Sequence, residues 1–111
     1  MATISNLFVD SGADYSNIIT VSGSNGQPLN LTNYTVKSQM RKSYQSSIAY
    51  DFTSTIHNAT GGQVRLQLTA AQSETIPAGR WLYDVEITSP SGTKTRVLEG
   101  IATVTPQITQ I

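Results

Sequence analysis

The chain has no cysteine, a single histidine and a single tryptophan, and its seven basic residues balance its seven acidic ones. Each shortage removes a class of function. Without cysteine there is no disulfide framework, no thiolate metal site and no cysteine nucleophile. With one histidine and no thiol, a structural zinc site lacks ligands. With a formal net charge of zero, there is no positive field of the kind that neutralises nucleic-acid phosphates. Charged residues are 13% of the chain, about half the share in ordinary domains. Ser, Thr, Asn and Gln take their place, giving a surface that repels neighbours only weakly. Such a surface suits a protein that packs against others, and equally a secreted β-domain. No apolar run reaches the roughly 20 residues of a membrane helix, and "MATISNLFVDSG" has neither the basic nor the apolar region of a signal peptide. The expectation is one soluble domain spanning 1–111, since domains cluster around 100–150 residues.

What the chain does have is alternation. In "QVRLQLT", Val64, Leu66 and Leu68 fall on one face and Gln63, Arg65 and Gln67 on the other. "RWLYDVEIT" places Trp81, Tyr83, Val85 and Ile87 inward, with Arg80, Asp84 and Glu86 outward. "TVKSQMRK" gives Val36 and Met40 to the core, and "AYDFTSTIH" groups Tyr50, Phe52 and Ile56. With "ATISNLFV", "YSNIITV" and "TKTRVLEGIATV", seven segments carry the period-2 signature of half-buried strands. Turn residues separate them: Asn25-Gly26, "NATGG" and "SPSGTK". Glu99-Gly100 inside the last segment predicts a bulge. Only "TAAQSETIPAG" reads as a helix, with Thr69 and Gln72 spaced as a capping box and Pro77 closing it. These elements predict an all-β fold, an immunoglobulin-like antiparallel β-sandwich of about seven strands with one short helix.

The search for chemistry returns ordinary structure. His57 stands beside a turn with no carboxylate near it in sequence, and no G-x-S-x-G elbow presents a serine. "DSGADYS" sets Asp10 and Asp14 around a glycine but lacks the further oxygen ligands of a calcium loop. Asp84 and Glu86 share one strand face, where cross-strand ion pairs with Arg80 and Arg96 are expected rather than a glycosidase pair facing across a cleft. N-x-S/T triplets begin at Asn30, Asn33 and Asn58, where six asparagines in a chain one-quarter Ser and Thr should give about one or two by chance. No catalytic residue, cofactor or metal is expected. "SGSNG" and "TGG" lack the lysine and helix of a phosphate loop.

Grammar concentrates in "NGQPLNLTNYTVKSQMRKSY". The turn at Asn25-Gly26 leads through Pro28 to three anchors, Leu29, Leu31 and Tyr34, and Asn33 is suited to a left-handed conformation just before a strand. This stretch reads as a crossover between sheets. Its pattern, G-x-P-L-N-L-T-N-Y-T-V followed by "RKSY", resembles a β-sandwich module of tailed-phage virion structural proteins, nearest to small proteins of cyanobacterial myo-type phages and more distantly to the N-terminal domain of baseplate upper proteins. The resemblance continues through "GGQVRLQLTAAQSETIPAGRWLYDVEIT" and ends in "GTKTRVLEGIATVTP", so it covers nearly the whole chain. Asn30 and Asn33 stand where the module usually has Asp and Gly. The resemblance implies a non-catalytic virion protein, made in the host cytoplasm. It would pack in multiple copies against other virion structural proteins in the neck, tail or baseplate, with head decoration as the alternative. A carbohydrate- or host-binding module is the reading from another class, and Tyr15, Tyr44 and Tyr50 would have to supply its aromatic platform. No nucleic acid or membrane partner is expected. The candidate contact residues are Arg41, Lys42 and Tyr44, with Ile108 and Ile111 in the tail beyond Pro106, a residue that cannot donate to a ladder.

Overall fold

Residues that alternate in the sequence alternate in burial, and the sheets follow from that. The computed structural model describes residues 3–23 and 26–106. Their elements run β1 (Thr3–Ile4), β2 (Leu7–Asp10), β3 (Tyr15–Thr20), β4 (Thr35–Arg41), β5 (Ala49–Asp51), β6 (Thr53–Asn58), β7 (Gln63–Leu68), α1 (Ala70–Glu74), β8 (Gly79–Thr88) and β9 (Lys94–Thr105). One sheet has the order β1-β9-β8-β4-β5, with β2 also on β9; the other has the order β3-β7-β6. The fold is a β-sandwich in which antiparallel pairing dominates. The exceptions are β1 and β2, which run parallel to β9.

The core lies between the sheets. Val64, Leu66 and Leu68 from β7 meet Trp81, Tyr83, Val85 and Ile87 from β8, all buried as the alternation predicts. Met40, Leu98, Ala102 and Val104 complete the large sheet's inner face, and Leu7 and Val9 extend it to the edge. Fully burying an aliphatic side chain of this size contributes about 1.5–3 kcal/mol.

Seven predicted segments become nine strands because two of them divide. "AYDFTSTIH" changes sheets at Phe52: β5 pairs with β4, whereas β6 pairs with β7. The Phe52 amide donates to the Ser38 carbonyl at 3.0 Å, and its buried ring lies 6.0 Å from Tyr15 and 6.3 Å from Tyr83. Such a corner needs only a bend, not a turn residue. "ATISNLFV" divides at Ser5 and Asn6. Here the Ser5 amide donates to the Glu99 carbonyl at 2.9 Å, and the Ile101 amide donates to Asn6 Oδ1 at 3.1 Å.

The bulge sits elsewhere than predicted. Val85 pairs with Leu98 and Glu86 with Arg96, which leaves Val97 as the extra residue. Gly100 is paired normally, opposite Tyr83. Its missing side chain instead admits the Ser5 carbonyl, which would lie 2.2 Å from a Cβ at that position.

The crossover from β3 to β4 joins the two sheets, and Asn25 of its predicted turn lies outside the described residues. Leu31 is buried and Leu29 and Tyr34 pack against the core. Asn33 has φ 65°. At the other end of the sandwich, Thr69 caps α1 with both bonds of the capping box present. The Asp14 carboxylate accepts from the Ala70 amide at 2.7 Å. The buried Ser73 hydroxyl accepts from the Gly12 amide at 3.0 Å and donates to the Ala13 carbonyl at 2.9 Å. The "DSGAD" loop is thereby tied to the helix.

Candidate functional site

The outer face of the larger sheet is where exposed apolar and charged side chains meet. Outward residues of β8 read Arg80, Leu82, Asp84, Glu86. Leu82 pairs across to Ile101 of β9 and Arg41 of β4, while Asp84 pairs to Glu99 and Gln39. Ile4 stands beside Glu99 and Phe8 beside Thr103 on the parallel edge. A cavity of about 380 Å³ opens on this face, with Ile4, Leu82 and Ile101 in its apolar part and Tyr44 at the rim.

Arg41 and Tyr44 both line this cavity, so two of the sequence-derived contact residues come together. Arg41 is held by its own chain: one guanidinium nitrogen donates to the Ser46 carbonyl at 2.6 Å and the other to Gln39 Oε1 at 3.2 Å. Tyr44 is 79% exposed. Lys42 goes elsewhere, donating to the Arg80 carbonyl at 3.0 Å with its ammonium 4.8 Å from the centre of the Trp81 ring. Ile108 and Ile111 lie outside the described residues.

Arg96 is the electrostatic centre of the face. It pairs with Asp84 at 3.3 Å and with Glu99 at 3.3 Å. The expected cross-strand pair therefore forms with Arg96, whereas Arg80 makes no ion pair among the described residues. Burial pushes the Asp84 carboxyl above its usual range; Glu86 and Glu99 add to the shift, and Arg96 and Arg41 oppose it. The folded state then holds this proton more tightly than the unfolded state. The stability this group contributes is complete below the ordinary value of 3.8 and is lost as pH rises through the raised value. Asp84→Asn should accordingly gain on the native protein as pH rises: the difference in Tm, variant minus native, is expected to grow more positive between about pH 3 and pH 7. A difference that stays flat or shrinks would contradict the assignment.

The remaining candidates disperse. Asp10 accepts from the Thr105 hydroxyl at 2.9 Å while Asp14 caps the helix, so the two acids serve separate elements. His57 is exposed near the end of β6. Tyr15 and Tyr50 pack against the core, which leaves Tyr44 alone of the three proposed sugar-platform tyrosines on the surface. Asn58 accepts from the Gly61 amide at 3.1 Å, shaping its own turn. Sequence reasoning did not single out Ile4, Phe8, Leu82 and Ile101. For Leu82 the signal was present, since the phase that buries Trp81 and Tyr83 turns the residue between them outward.

No family model matches the chain, and no curated protein matches it in sequence. Among solved structures its fold is similar to the N-terminal domain of phage TP901-1 ORF48, with TM-score 0.56 and 13% identity over 90% of this chain and 84% of that one. It is also similar to an SrpA adhesin mutant from Streptococcus sanguinis, with TM-score 0.52 and 12% identity over 96% of this chain and 56% of the adhesin chain. At such identities the likeness is one of fold alone.

Proposed function

We propose that the chain is a non-catalytic structural protein of a tailed-phage virion, of the cyanobacterial myo-type its sequence resembles. It serves as an assembly module of the neck, tail or baseplate. The observation that carries this reading is the near-complete mutual overlap with a phage protein domain, 90% of one chain and 84% of the other. The sequence pattern from Gly26 to Val36 points the same way independently of the fold. The composition agrees: few charges and no net charge. Copies are ordered by the symmetry of the particle and contact other virion proteins.

The test is to locate the chain in the particle. Purified virions, separated into heads and tails and probed with an antibody against this domain, should carry it in the tail fraction. Detection in heads alone would replace the assembly module with a head decoration protein. Absence from both fractions, with expression shown in infected cells, would sink the virion role.

A further inference from the structure

We propose that two copies of this domain dock face to face through the outer surface of the six-stranded sheet, about a two-fold axis running across the strands at the level of Leu82 and Ile101. This goes beyond a place in a particle, because it concerns the free domain in solution. The register of the sheet makes the face self-complementary under that operation. Ile101 lies on the axis row; two residues along β9 in one direction is Glu99, beside Ile4 and Asp84, and two in the other is Thr103, beside Phe8 and Arg80. A rotation about the axis row reverses strand direction and exchanges these two rows. Phe8 then faces Ile4 of the second copy, Arg80 faces Asp84, and the Leu82–Ile101 pair faces itself. An isologous interface requires this reciprocity.

Exposure and charge both ask for such a cover. Ile4 is 74% exposed and Phe8 72%, a large apolar area at an open sheet edge. Within one chain Asp84 and Glu99 share the single guanidinium of Arg96, and Glu86 stands on the same face as a third carboxylate. Arg80, exposed and without an ion pair among the described residues, brings a positive charge opposite Asp84 from the second copy, and the exchange happens twice per dimer. Zero net charge removes long-range repulsion between the copies. Arg41 lies on the axis row, where it would approach its own copy, and it is drawn back by its bonds to Ser46 and Gln39. The smaller sheet offers no comparable face. Its large exposed apolar residue is Ile18, at 43%.

Sedimentation velocity on the purified domain over a rising concentration series should show a monomer–dimer equilibrium. Phe8→Asp and Arg80→Glu, both at exposed positions, should each weaken it roughly tenfold or more, whereas Ile18→Asp should leave it unchanged. Because the chain has no cysteine, Ile101→Cys with a short bismaleimide should yield a covalent dimer, and Ile18→Cys should not. A monomer at every concentration would overturn the proposal and leave the face to a different partner. So would a dimer that survives both charge substitutions or that crosslinks through Ile18→Cys. Location of the chain in particles bears on the virion role alone, so the two ideas fail separately.

Discussion

Trp81→Ala is expected to destabilise the domain by about 3–5 kcal/mol, a large part of the 5–15 kcal/mol typical of a whole domain. The ring is 4% exposed and meets Tyr50 edge-on, with centroids 5.4 Å apart at 87°. Its indole nitrogen donates to the Pro77 carbonyl at 2.9 Å, fixing the segment that leaves α1 to the strand that enters the large sheet. Lys42 covers the outer side of the ring. Truncation therefore removes packing on several sides and leaves the Pro77 carbonyl without its donor. Trp81→Phe would keep much of the packing and lose mainly the hydrogen bond, worth about 1 kcal/mol. Urea melts distinguish the cases: the midpoint should fall far for Ala and little for Phe, at an unchanged slope. An Ala variant that melts with the native protein would mean that the ring is not a core residue.

The sequence made the strands legible because burial on one face imposes a period of two, and that period survives wherever a strand is long. β7 and β8 were readable residue by residue. What stayed hidden was set by other parts of the chain. The corner at Phe52 carries no turn residue; the strand divides because the Ser38 carbonyl takes the Phe52 amide and the ring is needed between the sheets. The parallel pairing of β1 and β2 with β9 depends on residues 95 apart in sequence, and alternation has no direction. A glycine inside a strand has two common causes, a bulge or a close approach by another segment. The sequence alone favoured the first and the structure has the second.

The candidate surface was half legible for a related reason. Arg41 and Tyr44 are near in sequence and remain near in space. Ile4, Leu82 and Ile101 are brought beside them only by sheet order, which places β1, β9, β8 and β4 side by side. Lys42 follows Arg41 directly, just past the end of β4, yet leaves the group for the Arg80 carbonyl and the Trp81 ring.

Gly100→Ala should also have a large effect, and its origin lies in the N-terminal segment. A Cβ at this position would stand 2.2 Å from the Ser5 carbonyl oxygen, 2.9 Å from its carbon and 3.0 Å from Asn6 Oδ1. Two of those atoms are backbone, so no side chain can swing aside to make room. The Ser5 carbonyl also accepts the hydroxyl of the buried Tyr83, and displacing it leaves that phenol without its partner. Overpacking of this kind costs about 1–3 kcal/mol and an unsatisfied buried group about 1–3 kcal/mol more, so a loss of roughly 2–6 kcal/mol is expected. Part of it should be local, because β1 and β2 can separate from β9 while β8 and β4 keep the rest of the sheet. Amide exchange at Ser5 and Ile101, whose hydrogen bonds cross this junction, should then accelerate more than exchange in β8. The same detachment would displace Ile4 and Phe8 and so abolish self-association at concentrations where the native domain is dimeric. Unchanged melting and unchanged exchange at Ser5 would mean that the N-terminal strands do not press against β9 at Gly100.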